Sequence, residues 1–194
     1  MSKVEKRPLY IFKICLLGEG GVGKTCLVRR LCFNTFDMNT KLTVGVDFYT
    51  HDIPIKLVGS NNKDDFVRLS IWDFGGQENF KRLFPYYING ANGLFLCFDL
   101  EQFDTLSRLE WWYDELFRLI GQNVPRILIG CKYDLVKKRA LKKEKAIVAR
   151  FMKIHEENSF VLTSSKENYN VDHIFHELAK KMLDIHNLAY KELG

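Results

Sequence analysis

A glycine-rich segment near the N-terminus has the residue types and the spacing that bind phosphate groups. Gly18 and Gly23 are separated by four residues and are followed directly by Lys24 and Thr25. Glycines let the backbone bend so that its N–H groups converge on phosphate oxygens, while the lysine ammonium and the hydroxyl serve the outer phosphates and Mg²⁺. The segment follows a predicted strand and begins a predicted helix, whose positive N-terminus favours an anion. We therefore predict that it binds a nucleotide.

The elements that must position this loop can be read from the apolar pattern. Strand-like runs are Tyr10–Leu17, Val46–Val58, Phe66–Trp72, Gly93–Asp99, Arg126–Cys131 and Phe160–Thr163. Helical periodicity is found at Lys24–Phe33, Thr105–Ile120, Leu141–His155 and Val171–Tyr190. Strands that alternate with helices of this length indicate parallel βαβ units. The predicted fold is an α/β P-loop NTPase with a six-stranded, mostly parallel sheet, helices on both faces and an antiparallel hairpin of strands two and three.

Length and composition restrict the class of protein. The 194 residues suit a single domain, predicted to span 1–194 with a core of about 10–185. The longest apolar run, from Gly93 to Phe98, is far shorter than the roughly 20 residues that cross a membrane as a helix. Five cysteines do not suggest a disulfide framework, so we expect a reducing, cytoplasmic location. The net charge of +5 permits a weak attraction to anions, but no nucleic-acid motif accompanies it.

Four further segments resemble those of the small GTPases of the Ras superfamily, in order and spacing, with the Rab branch the most similar. Thr43–Phe48 is similar to the first switch and Trp72–Glu78 to the second. Gly130–Asp134 and Thr163–Lys166 are similar to the two guanine-binding loops. The resemblance implies a GTP-binding switch protein in signalling or membrane traffic, with Mg²⁺ as cofactor. It also implies that GTP is hydrolysed to GDP, slowly unless an activating partner is bound.

The resemblance assigns roles around the phosphates. The Mg²⁺ ligands that it implies are three oxygen-bearing residues, Thr25, Thr43 and Asp73. Gln77 is expected to orient the attacking water, and Lys24 and the N–H of Gly76 are expected to contact the transferred phosphate. Two loops that are ordered by one phosphate group and released without it then form the switch.

The same resemblance implies how the base is recognised. Asp134 would accept hydrogen bonds from the guanine N1–H and amine, which adenine cannot supply in that arrangement. Lys132 and Phe36 would pack on the two faces of the base. The full set of residues expected to contact the nucleotide is Gly18, Gly20, Gly21, Val22, Gly23, Lys24, Thr25, Cys26, Phe36, Thr43, Gly76, Cys131, Lys132, Asp134, Leu135, Ser164, Ser165 and Lys166.

Two departures from the family pattern affect the expected behaviour. Cys131 replaces an asparagine whose amide contacts guanine and ties its loop to the phosphate loop. Because a thiol is a weak hydrogen-bonding group, we predict nucleotide affinity weaker by about five- to thirty-fold and faster release. Phe74 and Gly75 replace the usual Thr-Ala, and the pair Gly75–Gly76 resembles the Arf branch. These departures leave open the alternative of a nucleotide-binding pseudo-GTPase scaffold with little hydrolysis.

The expected partners, other than guanine nucleotide, are a GTPase-activating protein, an exchange factor and effectors. They would bind through the switch segments Thr40–Phe48 and Asp73–Tyr87. The segment Lys137–Lys153 holds eight basic residues and one acid, which form either a solvated helix surface or a peripheral contact with an anionic membrane. No cysteine follows Cys131, so no C-terminal prenyl anchor is expected. We expect a monomer without a nucleic-acid partner.

Overall fold

A mixed β-sheet forms the centre of the fold. The structure, a computed structural model, describes residues 6–59, 64–121, 123–136, 141–187 and 190–194. Its strands are β1 (Tyr10–Leu17), β2 (Val46–Leu57), β3 (Phe66–Phe74), β4 (Gly93–Asp99), β5 (Arg126–Cys131), β6 (Phe160–Leu162) and β7 (Tyr190–Leu193). They form one sheet in the order β6-β5-β4-β1-β3-β2-β7. Strand β2 is antiparallel to both of its neighbours, and the other strand pairs are parallel.

The helices connect these strands. They are α1 (Lys24–Phe33), α2 (Glu78–Lys81), α3 (Phe84–Tyr87), α4 (Asp104–Ser107), α5 (Leu109–Ile120), α6 (Tyr133–Val136), α7 (Lys142–Ile154) and α8 (Val171–Ile185). Helix α1 begins after Gly23 and ends before Asn34, and both of these flanking residues have a left-handed backbone. Within the described ranges, no helix is long and apolar enough to cross a bilayer.

Two apolar cores cover the two faces of the sheet. Successive residues of β1 point to opposite sides, so Ile14 and Leu16 join the core with α1 and α8, whereas Cys15 and Leu17 join the core with α5 and α7. All seven residues of β4 are buried, as expected for a central strand with helices on both faces. The predictions of an α/β fold and of helices on both faces are confirmed.

The carboxyl ends of the parallel strands meet at one edge of the sheet. Strand β1 leads into the phosphate loop, β3 into the second switch, and β5 into the loop that contains Lys132 and Asp134. Ligands of open α/β sheets bind outside the carboxyl ends of their strands. Parallel pairing therefore collects motifs that are distant in the chain at one place.

The prediction of six strands is wrong by one. A seventh strand, β7, pairs with the far half of β2 through the registers Ile55↔Leu193 and Lys56↔Glu192. The sequence predicted a helix up to Tyr190, but α8 ends at Ile185 and the backbone turns left-handed at Asn187. The chain is then free to return along the edge of β2. Four residues are too few to give a strand pattern of their own.

Other predicted boundaries differ by one or two residues; β2 ends at Leu57 rather than Val58, and β3 ends at Phe74 rather than Trp72. The long helix predicted at Thr105–Ile120 is divided at Arg108 into α4 and α5, although the backbone of Arg108 itself stays helical. The antiparallel hairpin of β2 and β3 is confirmed, with residues 60–63 of its predicted turn outside the described residues.

Candidate nucleotide-binding and catalytic site

A cavity of about 280 Å³ lies at the carboxyl edge of the sheet. It is enclosed by the phosphate loop, the segment before β2, the start of the second switch and the two loops after β5 and β6. The structure places most of the predicted site residues on its wall: Gly20, Gly21, Gly23, Lys24, Thr25, Cys26, Phe36, Thr43, Gly76, Gln77, Cys131, Lys132, Asp134, Leu135, Ser165 and Lys166.

Lys24 is held inside the phosphate loop by the backbone. Its ammonium donates hydrogen bonds to the carbonyl oxygens of Gly18, at 2.7 Å, and Glu19, at 2.8 Å. Burial lowers the pKa of Lys24, and the nearby carboxylate of Asp73 opposes that shift. The loop thus presents a preoriented cation at the phosphate end of the cavity.

Three oxygen-bearing side chains from three different segments meet beside this lysine. The Thr25 hydroxyl donates to Asp73 Oδ2 at 2.5 Å and lies 2.9 Å from the Thr43 hydroxyl. The Thr43 hydroxyl is 3.4 Å from the same Asp73 oxygen. Helix α1, the first switch and the end of β3 are therefore joined at one point.

This oxygen cluster fits a magnesium ion. Asp73 Oδ1 is fully buried and has no hydrogen-bond partner among the described residues. Burial raises the pKa of Asp73, opposed by the charge of Lys24 and by the hydrogen bond from Thr25. A buried carboxylate with a free oxygen and two neighbouring hydroxyls offers the hard oxygen donors that Mg²⁺ prefers.

The second switch packs tightly against the phosphate loop at Gly76. A Cβ atom on Gly76 would lie 2.3 Å from backbone atoms of Gly18, Glu19 and Gly20, so only glycine fits. The next residue, Gln77, lies on the cavity wall with its Cγ 3.7 Å from the position of a Cβ on Gly20. Gln77 is therefore close to the loop that is expected to hold the phosphates.

The departure at Gly75 also has a structural consequence. The Gly75 N–H donates to the carbonyl of Gly45 at 2.8 Å, which joins the two switch segments directly. A Cβ at position 75 would lie 2.5 Å from the carbonyl oxygen of Thr43. The glycine thus permits a closer approach of the two switches than alanine allows.

At the other end of the cavity, Asp134 is oriented by a serine. Ser164 Oγ donates to Asp134 Oδ1 at 2.7 Å and accepts a hydrogen bond from the Glu167 N–H at 3.1 Å. Ser164 is itself buried and lies behind the cavity wall. Its position therefore suits the orientation of Asp134 better than contact with a nucleotide.

Two further side-chain pairings fix the loops at the guanine end, and the sequence did not predict either of them. Arg30 Nε donates to the Ser165 carbonyl at 2.7 Å, which links α1 to the loop after β6. The ammonium of Lys132 pairs at 2.7 Å with the buried Asp99, at the end of β4. Neither pairing has a local motif, because the partners are 135 and 33 residues apart.

Three predicted contact residues lie off the cavity wall, and several unpredicted ones lie on it. Besides Ser164, Val22 points into the core and Gly18 is packed so that a Cβ would lie 2.1 Å from the Cys97 carbonyl. The additional wall residues are Asp37, Met38, Thr40, Lys41, Leu42, Phe74 and Gly75. Most of them belong to the irregular segment before β2, which has no periodic pattern that could assign a direction to its side chains.

Cys131 lies where the two halves of the cavity meet. It is buried, and its sulfur is 3.9 Å from the position of a Cβ on Gly23 in the phosphate loop. The neighbouring thiol of Cys97 has a pKa raised well above its usual value by burial and by a hydrogen bond with Cys131. The thiol of Cys131 therefore faces both the phosphate loop and another buried thiol.

Comparison with known proteins gives the family. The sequence profile of the Ras family matches residues 13–184 of this chain. The chain belongs to the Ras family. It is 34% identical over 176 residues to the Ras-related protein Rab-13 of Canis lupus familiaris, which covers 90% of this chain and 81% of the relative. It is 35% identical over 174 residues to Rab-30 of Homo sapiens, with the same coverage, and 34% identical over 178 residues to Rab11B of Nicotiana tabacum, covering 91% and 76%.

This Ras-family protein is a small, Rab-like GTPase, a GTP-binding switch of signalling or membrane traffic that hydrolyses GTP. The prediction of that function and of that enzyme class is confirmed. Members of the family bind GTP and GDP together with Mg²⁺. Nothing in the comparisons supports the alternative of a pseudo-GTPase scaffold.

Proposed function

We propose that this GTPase senses the γ-phosphate of GTP through three side chains, Thr25, Thr43 and Asp73. The observation that carries the proposal is the meeting of these three side chains, because it joins the phosphate loop to both switch segments within 3.4 Å. When bound there, Mg²⁺ neutralises phosphate charge. The hydroxyl of Thr43 keeps the first switch against the phosphate loop only while Thr25 and Asp73 remain beside it.

In the proposed hydrolysis, Gln77 orients a water molecule whose oxygen bonds to the γ-phosphorus as the bond to the bridging β–γ oxygen breaks. The water gives up a proton, and GDP and inorganic phosphate are the products. Lys24 holds the outer phosphates, and the N–H of Gly76 donates to the γ-phosphate. Once that phosphate leaves, the contacts of Gly76 and Thr43 with it are lost and the two switch segments are released. Hydrolysis of one phosphate bond thus releases both switch segments.

We propose that hydrolysis is slow without a partner. Among the described residues, the cavity wall contains no arginine that could neutralise charge on the transferred phosphate. An arginine supplied by an activating protein is worth about 10³- to 10⁵-fold in rate, so intrinsic turnover should be on the order of 10⁻⁴ to 10⁻² s⁻¹. A turnover faster than about 1 s⁻¹ for the protein alone would contradict this.

For the base, we propose recognition by the carboxylate of Asp134, held in place by Ser164. Lys132 and Phe36 are both on the cavity wall and are proposed to cover the two faces of guanine. The backbone N–H of Ser165 would meet the guanine carbonyl oxygen, with the loop fixed by Arg30. Guanine is thus selected by hydrogen bonds that adenine leaves unpaired.

We propose that regulators and effectors bind the switch segments Thr40–Phe48 and Asp73–Tyr87. An aromatic cluster supports this, since the rings of Phe48 and Trp72 are 4.7 Å apart and those of Trp72 and Tyr87 are 5.9 Å apart. Phe48 is 59% exposed. An exposed aromatic group that connects the two switch segments gives a partner a surface that changes when either segment moves.

We propose that the protein acts as one domain over residues 1–194, as a monomer on the cytoplasmic side of a membrane. Helix α7 exposes Lys142, Lys143 and Lys145, while the predicted basic residues at 137–139 lie outside the described residues. Each basic residue near an anionic surface contributes about 1 kcal/mol, enough for weak peripheral contact. Sedimentation with phosphatidylserine vesicles in a salt series tests this, and binding that is equal on neutral vesicles would exclude it.

The principal experiment measures nucleotide and turnover together. The nucleotide that copurifies with the protein is identified by chromatography, and single-turnover conversion of GTP to GDP is then followed for the wild type and Gln77→Leu. We expect guanine nucleotide and at least about ten-fold slower hydrolysis in the variant. The matched control is Gln102→Leu, an exposed glutamine away from the cavity wall. Equal rates for the wild type and Gln77→Leu would exclude the proposed role of Gln77.

A further inference from the structure

The side chain of Glu19, in the phosphate loop, turns away from the nucleotide cavity and toward the second switch. Its Oε1 atom is buried and lies 3.3 Å from the ammonium of Lys81, in α2. Its Oε2 atom lies 4.0 Å from Arg108, whose side chain is 57% exposed. The carboxylate thus depends mainly on Lys81 for its counter-charge.

Lys81 is enclosed by groups that favour a cation. Its side chain is only 10% exposed, and its ammonium lies 2.6 Å from Glu78 Oε1 and 4.8 Å from the centre of the Trp111 ring. Glu78 is 82% exposed, whereas the Glu19 side chain is 16% exposed. Because solvent screens an exposed partner strongly, the pairing with Glu19 is the one that matters energetically.

Along the chain, Gln77 lies between Gly76 and Lys81, and both of these residues contact the phosphate loop. Gly76 packs against the backbone of Gly18 to Gly20. One helical turn after Gln77, the Lys81 N–H bonds to the Gln77 carbonyl at 3.3 Å, and its side chain returns to Glu19. The catalytic glutamine is therefore held between two attachments to the same loop.

We propose that Lys81 is a positioning residue of this GTPase, which attaches the second switch to the phosphate loop through Glu19 and thereby keeps Gln77 at the cavity. Moving the switch away leaves the part-buried carboxylate of Glu19 without its cation, and that costs free energy. The pair thus favours the arrangement that is competent for hydrolysis. The proposal rests on the proposed role of Gln77.

The test compares Lys81→Met, which keeps the length and packing of the stem, with Lys81→Arg, which keeps the charge. We expect Lys81→Met to slow single-turnover hydrolysis by about five- to thirty-fold, while the Kd for GDP changes by less than about two-fold. Lys81→Arg should recover most of the rate. Unchanged hydrolysis in Lys81→Met, or an equal loss of GDP affinity, would overturn the proposal.

Two further variants identify the partner. Glu19→Gln should slow hydrolysis like Lys81→Met, and the double variant should be no slower than either single one, because both remove the same pair. The matched control is Glu101→Gln, an exposed glutamate outside the switch segments and the cavity wall, which should leave the rate unchanged. Additive effects of Glu19→Gln and Lys81→Met would exclude direct coupling.

Measuring Gln77→Leu alongside distinguishes a failure of the proposed role of Gln77 from a failure of the attachment through Lys81. If Gln77→Leu is as fast as the wild type, the proposed function fails at Gln77 itself. If Gln77→Leu is slow and Lys81→Met is not, only the attachment through Lys81 is excluded.

Discussion

The phosphate end and the guanine end of the cavity are held together in different ways. At the phosphate end, Thr25 contacts Thr43 and Asp73, so three segments distant in the chain share one cluster. At the guanine end, Ser164 donates to Asp134 and Arg30 donates to the Ser165 carbonyl, and each of these hydrogen bonds joins only two residues. The phosphate end therefore depends on one cluster that connects both switch segments, whereas the guanine end depends on separate hydrogen bonds.

This difference separates two tasks. On the proposed function, the cluster that joins the phosphate loop to both switches responds to the number of phosphates, because each member depends on the others. On the same proposal, the hydrogen bonds that fix the guanine loops select the base and set the residence time of the nucleotide. Substitutions of Lys24 or of the cluster of Thr25, Thr43 and Asp73 should therefore change affinity and hydrolysis together, and those at the guanine end should change affinity alone.

The largest effect is expected for Lys24→Ala. It removes a buried cation at the phosphate end. Losing two charge-assisted hydrogen bonds that the ammonium is proposed to make with phosphate oxygens should weaken GDP binding by about 10³-fold. Titration of a fluorescent GDP analogue measures this. Lys145→Ala, an exposed lysine of α7, is the matched control. A loss of GDP affinity below about ten-fold would contradict the proposal that the phosphate end dominates nucleotide affinity.

A smaller loss is expected for Asp134→Asn, in which one acceptor becomes a donor facing the guanine amine. We expect GDP affinity to fall by about 10²-fold, while saturating GTP is still hydrolysed at the wild-type single-turnover rate. Asp114→Asn, on the exposed surface of α5, is the control. Slower hydrolysis at saturation would show that the two ends are not separable.

Cys131→Asn sharpens the comparison in the opposite direction. An amide next to Gly23 restores hydrogen bonds that the thiol lacks, so release of the GDP analogue should slow by about five- to thirty-fold. Cys32→Asn, on α1 and away from the cavity wall, should not slow release. If release from Cys131→Asn is as fast as from the wild type, neighbouring groups already replace the missing amide.

The smallest effect is expected for Ser164→Ala, which acts on guanine only through Asp134. Loss of one hydrogen bond to a carboxylate should weaken GDP affinity by about five- to ten-fold. Exposed Ser107→Ala is the control. An effect as large as that of Asp134→Asn would mean that Ser164 contacts the nucleotide itself.

Much of the fold and of the site could be predicted where the signal is local. The bounds of β1, β4, β5 and α1 were predicted to the residue, because apolar runs end there at glycines, charged residues or turns. Strand β7 and the short helices α2, α3 and α6 were not predicted. Segments of four residues contain too little periodicity, and β7 exists only because the edge of β2 is available to it.

The sequence by itself determined the phosphate loop, the order of the motifs and the presence of a thiol at position 131, since each depends on residue type and spacing. Only the tertiary structure decided that Ser164 stands behind Asp134, that Arg30 holds Ser165, and that Glu19 turns toward Lys81. The physical reason is that such pairings depend on the direction of side chains between distant segments. Packing of the two cores sets those directions, and no local pattern encodes them.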